Sequence, residues 1–287
     1  MDVFKILITG VGIMLGYYPG CTVRAHQNDK FEQESLKILE LLGVSVEELS
    51  EWECCGAIYP LTSDEYMPLL SSVRALKKTE EENKDGLLTL CSACYHVLKR
   101  VNNRMNQDEE AKKRVENYLE EEYEGTTKVY HLIEVLRDHV GYDQLKEQVI
   151  KPLEGEKIAS YYGCLFLRPE SELGLLDAEN PTLMDEILES LGAETVNYPY
   201  RTDCCGAYHV SQQEDVSNNA SQKIILAAKK AGATELVTAC PLCKHNLEYC
   251  QKDLQEDEKI TINYITNPII RALGGNEQLK DLTNLAN

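Results

Sequence analysis

Apolar residues in this chain follow two alternating rhythms. Short unbroken runs, Gly16 to Tyr18 and Leu87 to Leu90 early on, Ile158 to Tyr162 and Glu235 to Thr238 later, have the length and bulk of buried strands. Between them lie segments at helical spacing: Phe31 to Leu42, with Leu36, Leu39 and Leu42 on one side, then Leu183 to Leu191 and Gln222 to Ala231. Gly43 and Gly192 stand where such helices should stop. The alternation predicts an α/β fold, with parallel strands covered by helices. In such sheets ligands gather beyond the carboxyl ends of the strands.

The pattern occurs twice. Tyr17-Tyr18-Pro19-Gly20-Cys21 returns as Tyr161-Tyr162-Gly163-Cys164, each with an arginine soon after, Arg24 and Arg168. Cys54-Cys55-Gly56-Ala57 returns as Cys204-Cys205-Gly206-Ala207, and Cys91-Ser92-Ala93-Cys94-Tyr95-His96 as Cys240-Pro241-Leu242-Cys243-Lys244-His245. Three blocks in one order at nearly constant separation describe a duplicated domain. The polar stretch Glu147 to Glu156, with Pro152 and Gly155, marks the join, which gives domains 1–150, the repeat proper starting near 17, and 151–287.

Composition narrows the chemistry. Against 29 Lys and Arg stand 48 Asp and Glu, a net charge of −19, so a nucleic-acid partner is excluded and an anionic membrane surface disfavoured. The acidic run Asp108 to Glu124 reads as a solvated helix. Sixteen tyrosines against three phenylalanines suit half-wet positions around sites and interfaces. The apolar run Ile6 to Gly16 is too short to span a bilayer, and its flank holds Asp2 beside Lys5, unlike a secretory signal. A cytoplasmic location and no transmembrane segment are expected.

Eleven cysteines carry the strongest signal. Five recur in each half, and Cys250 is left over as an ordinary helix-face thiol. A closed zinc site takes four ligands, so five thiols per half are one too many. Vicinal cysteines in an extended chain point apart, which suits two metals of one polynuclear centre better than one ion. Soft thiolates without a carboxylate in the pattern favour iron–sulfur chemistry, and helices following each Cys-x-x-Cys would aim their N-termini at an anionic cluster. His96 and His245 hold equivalent places, either as ligands or as packed residues that donate to sulfur. His26 and His209 follow cysteine blocks and are candidate catalytic proton donors. Arg24 and Arg168 are candidates for substrate or cluster charge, with surface salt bridging the alternative.

Taken together, the duplicated Cys…Cys-Cys-Gly…Cys-x-x-Cys blocks closely resemble the cysteine-rich CCG domain family. From Tyr17 to about Gly274 the chain looks like the B-type chains of heterodisulfide reductases, with blocks such as Trp52-Glu53-Cys54-Cys55-Gly56 similar to bacterial-type members. The resemblance implies two noncubane [4Fe–4S] clusters held face to face, one by Cys21, Cys54, Cys55, Cys91 and Cys94, the other by Cys164, Cys204, Cys205, Cys240 and Cys243. It also implies two partner chains of a heterodisulfide-reductase-type complex: a ferredoxin-like iron–sulfur chain, and a flavin-containing chain whose electrons it passes on. The family's default reaction is two-electron, two-proton cleavage of a disulfide, in methanogens that of coenzymes M and B. The same family includes members that relay electrons within larger oxidoreductase complexes, such as acetogen methylenetetrahydrofolate reductase assemblies, without a disulfide substrate of their own.

Overall fold

The computed structural model describes residues 12–25, 30–57, 65–175 and 177–275. Eight short strands form two sheets: β1 (Met14–Tyr18), β2 (Ser45–Glu48), β3 (Gly86–Thr89) and β4 (Val129–His131), then β5 (Lys157–Tyr161), β6 (Glu194–Thr195), β7 (Glu235–Thr238) and β8 (Thr261–Tyr264). The sheets run in the order β2-β1-β3-β4 and β6-β5-β7-β8, with every pair parallel. An identical strand order in both halves is the structural form of the duplication. The inner strands β1, β3, β5 and β7 are buried almost throughout, as a parallel sheet covered on both faces requires.

The order places a switch point between β1 and β3, and another between β5 and β7, because the chain leaves in opposite directions from these neighbours. Register sets the two carboxyl ends level, with Tyr18 opposite Thr89 and Tyr161 opposite Thr238. The cysteine blocks begin within three residues of those ends.

Helices lie close to the periodicity-based expectation. One spans Phe31–Leu41 and another Leu183–Ser190, and Gly43 and Gly192 take the left-handed φ of 75° and 91° that ends them. The helix expected over Gln222 to Ala231 starts eight residues earlier, at Glu214, because Ser217 and Ser221 bury their hydroxyls against a backbone carbonyl and do not break it. Only Glu109–Leu119 of the acidic run is helical; Glu120 ends it at φ 57°. The first strand begins at Met14, three residues before the repeat, and Met1 to Val11 lie outside the described residues.

The two halves share one core. Helix Thr266–Ala272, which follows β8, packs on helix Phe31–Leu41 of the first half, where the Phe31 and Tyr264 rings stack at 3.9 Å and the Thr266 hydroxyl donates to Glu34. The largest apolar cluster accordingly runs from Leu15 to Leu273, and a smaller one lies wholly in the second half.

Gly86 shows how closely the first sheet is built. A Cβ there would stand 2.6 Å from the Tyr130 ring and 2.8 Å from the Lys128 carbonyl oxygen. Gly86→Ala is expected to cost about 1–3 kcal/mol through overpacking, read as a lower urea midpoint at unchanged slope.

Candidate metal centres

Each half brings its five thiols to the carboxyl edge of its sheet by the same local devices. Tyr18 and Tyr161, three residues before Cys21 and Cys164, end the central strands fully buried. Their hydroxyls donate to the carbonyls of Glu53 and Asp203 at 2.5 and 2.7 Å, the residues just before each Cys-Cys pair. These tyrosines therefore pin the second block to the first from inside the core and are not half-wet.

Gly20 and Gly163 then turn the chain at φ 74° and 66°. A Cβ on them would lie 2.8 Å from Cys94 Sγ and 3.3 Å from Cys243 Sγ, so the glycines let the first block approach the last. Cys91 and Cys240 are the N-cap residues of helices Ser92–Gln107 and Pro241–Tyr249, which point their free N–H groups at the thiols.

The sulfurs meet in pairs. Cys54 Sγ lies 3.5 Å from Cys21 Sγ, while its neighbour Cys55 turns the other way, to 3.4 Å from Cys94 Sγ. In the second half Cys204 is in reach of Cys164, and Cys205 Sγ lies 3.5 Å from Cys243 Sγ. The expected divergence of vicinal side chains is thus present in the first half, while in the second Cys204 and Cys205 also contact each other. Cys91 and Cys240 are also within hydrogen-bonding reach of each other, so the two thiol sets touch across the pseudo-symmetric interface. Among the described residues, no group of three or more His, Cys, Asp or Glu converges as a single-ion site would require.

Such crowding dictates the electrostatics. Contact with the Cys240 thiol holds Cys91 well below the ordinary cysteine range, and contacts with Cys164 and Cys205 do the same for Cys204. Cys94, Cys164 and Cys243 are pushed up by their hydrogen bonds with neighbouring sulfurs and by burial away from water. The sets cannot ionise in full on their own; bound positive charge would let them. The supporting contacts are those a cluster of soft, anionic sulfurs needs. Gly206 N–H donates to Cys204 Sγ at 3.3 Å, and the Asn246 side chain donates to the Cys205 carbonyl at 3.2 Å and approaches its Sγ at 3.7 Å. Donor type and surroundings therefore fit iron–sulfur ligation.

A narrow cavity of about 10 Å³ lies beside the second set, lined by Cys164, Cys204, Cys240 and Cys243 together with Tyr208 and, from the first half, Ser92. Tyr208 stands at its rim and donates to the Ala57 carbonyl of the other half at 2.8 Å. Two roomier grooves, of about 260 and 320 Å³, are lined by ion-paired surface residues such as Arg74 with Glu53 and Arg104, and by no cysteine.

Other candidates fall at varied distances from this chemistry. His209 is exposed in a short 3-10 turn after the second Cys-Cys block. His26 lies outside the described residues. His96 packs against the other half, its Nδ1 3.2 Å from the Leu165 carbonyl oxygen, and burial lowers its pKa. His245 is exposed and stacks on Tyr249. Arg24 is engaged by Glu32 and Glu48, and Arg168 by Glu179 and the Thr202 carbonyl, the salt-bridging arrangement.

Sequence reasoning missed Ser92, His131, Tyr208 and the buried Asp185–Arg201 pair. The carbonyl of Arg201 accepts the N–H groups of Tyr162 and Gly163 and so steadies the approach to Cys164. Only the one-sided occurrence of Ser92 against Pro241 was a signal open to reading.

A model of the cysteine-rich domain, CCG, matches residues 15–99 and 158–248. The chain belongs to this family, as a double-domain member. It is 34% identical over 266 residues to a Wolinella succinogenes protein named 8-methylmenaquinol:fumarate reductase membrane anchor subunit, covering 90% of this chain and 91% of that one. It is 30% identical over 256 residues to the B-type chain of the ferredoxin:CoB-CoM heterodisulfide reductase of Methanosarcina mazei, covering 87% and 84%. Among solved structures, a hypothetical protein from Helicobacter pylori superposes with a TM-score of 0.72 at 11% identity over 92% of this chain, which spans about half of that protein, and so shares the fold. No helix among the described residues is long and apolar enough to cross a membrane.

Two outcomes test this geometry. Gly20→Ala should displace Cys94 and lower metal binding by the first set more than Gly163→Ala lowers that of the second, as metal analysis would read. Cys250 is fully buried, which pushes its thiol up to about 12. In metal-free protein at pH 8, iodoacetamide should label exposed Cys21 and Cys204, label Cys54, whose thiol partial burial pushes up to about 11, more slowly, and leave Cys250 unmodified, as peptide mass spectrometry would show.

Proposed function

We propose that this chain is the iron–sulfur component of a heterodisulfide-reductase-type complex, with two [4Fe–4S] centres of noncubane type, one in each of the units 1–150 and 151–287. Cys21, Cys54, Cys55, Cys91 and Cys94 would hold one, and Cys164, Cys204, Cys205, Cys240 and Cys243 the other. The observation that carries the reading is the repeated five-thiol set at two equivalent switch points, with Cys91 and Cys240 meeting between them. When bound, such centres supply one-electron redox chemistry.

The chain's own residues would do the rest. Tyr18, Tyr161, Gly20 and Gly163 hold the sulfurs in register, and burial excludes water from most of them. Ser92, Tyr162 and Tyr208 line the approach to the second set. A disulfide reduced at these centres would leave as two thiols after taking up two electrons and two protons. The electrons would come from a ferredoxin-type chain fed by a flavin-containing partner; the names of the Methanosarcina relatives support the ferredoxin part of this route.

A second reading has its own support. The Wolinella relative is named as part of a quinol:fumarate reductase, which favours an electron relay without a disulfide substrate. Contact between the two thiol sets suits a relay equally well.

Cys54→Ala and Cys204→Ala are each expected to remove about half the iron and leave the other half of the chain loaded. Equal loss from both halves in either variant would contradict two separate centres. EPR of the oxidised, anaerobic protein that changes on adding one thiol, coenzyme M or coenzyme B, supports the reductase; spectra indifferent to thiols but reduced by a menaquinol analogue through a partner support the relay.

A further inference from the structure

The cavity beside the second thiol set has firm walls and one that can yield. At about 10 Å³ it has room for roughly one water molecule. A thiol or disulfide therefore reaches the sulfurs of Cys164 and Cys240 from this side only when part of the wall moves.

Two of the polar walls are fixed. Ser92 is 2% exposed and donates from Oγ to the Ala239 carbonyl at 3.2 Å, with His131 Nε2 3.5 Å away. Tyr162 is equally buried, and its hydroxyl accepts the Met184 N–H at 2.9 Å. Breaking either contact would leave polar groups unpaired out of water.

Tyr208 is placed differently. It is 39% exposed, and its hydroxyl donates to the Ala57 carbonyl of the first half at 2.8 Å. That bond lies at the surface, so water takes over both ends when it breaks. The backbone below is held: Gly206, at φ 80°, turns the chain against Ser217, and the His209 N–H donates to the Gly206 carbonyl at 2.8 Å. The side chain can thus swing from a fixed base. Its phenol is close enough to feel charge on Cys164, Cys204 and Cys240 of its own half and on Cys55 of the other, which places it where the two thiol sets face each other. The matching position after the first Cys-Cys-Gly-Ala block is Ile58, which has no hydroxyl.

We propose that Tyr208 is a specificity-determining residue of this site. Its ring covers the second thiol set, its hydroxyl latches the ring to Ala57, and a small thiol or disulfide reaches the sulfurs when the latch opens. The class of ligand rests on the function proposed above; the cover and the latch do not. While the latch is shut the site is incompetent, so a ligand binds more weakly in proportion to the closed fraction.

The test labels the full metal-free chain at pH 8 with limiting reagent, either iodoacetamide or the bulkier fluorescein maleimide, and maps the modified peptides. Tyr208→Phe keeps the ring and loses the latch. It should speed labelling of Cys164 and Cys240 by one common factor, roughly tenfold, about one hydrogen bond's worth, and leave exposed Cys21 unchanged. Tyr208→Ala removes the cover as well and should favour the maleimide further. Wild-type rates in Tyr208→Phe overturn the latch, and wild-type rates in Tyr208→Ala overturn the cover. Faster labelling of buried Cys250 by the same factor would mean that the whole half had loosened, and would also overturn the cover. In the iron-loaded chain, the concentration of 2-mercaptoethanol that half-changes the EPR spectrum should fall in Tyr208→Phe by the factor seen in labelling; an unchanged value beside faster labelling would contradict ligand entry past Tyr208. Should the chain hold no iron, the proposed function fails while the labelling rates still decide the cover and the latch.

Discussion

Ten sulfurs crowded at the carboxyl edges of two small parallel sheets are the constraint on which the rest of this structure depends. Thiols at 3.4–3.5 Å share protons and cannot all become thiolates unless positive charge arrives with them. The fold spends its most buried residues on keeping them there. Tyr18 and Tyr161 give up core positions to hold a loop carbonyl, Gly20 and Gly163 give up side chains to admit a sulfur, and two helix N-termini point inward. A protein that needed only a stable α/β core would fill these places with aliphatic side chains.

The strand order explains why the arrangement comes in facing pairs. A 2-1-3-4 order opens a crevice between the first and third strands, and placing a cysteine block after each of them lines that crevice with sulfur. Duplication supplies a second crevice, and helix Thr266–Ala272, which folds back onto the first half, draws the two together. The interface is then not a hinge between loosely tied units, because one apolar cluster crosses it.

Much of this was legible in the sequence, for physical reasons. Buried parallel strands must be short apolar runs, and helices that cover them must show a 3.6-residue period, so the alternation from Phe31 to Leu42 and its neighbours declared the fold class. Cysteine spacing declared the duplicated site, since no other residue type recurred so faithfully. What stayed hidden depended on contacts between distant segments. Tyr18 and Tyr161 read as aromatic residues suited to half-wet places, and nothing local says that each hydroxyl caps a loop 35 or 42 residues away. His131 carries no motif at all, and its meaning appears only when Ser92 and Ala239 are brought beside it. Arg24 and Arg168 were placed by the repeat, while the glutamates that engage them, Glu32 with Glu48 and Glu179, could be found only in three dimensions.

The central claim is that each half holds its own iron–sulfur centre on five cysteines. It is tested most directly by counting iron and acid-labile sulfide per chain in anaerobically purified protein. About eight of each is the expected result for two four-iron centres. Zinc without iron, or iron without sulfide, would contradict the account.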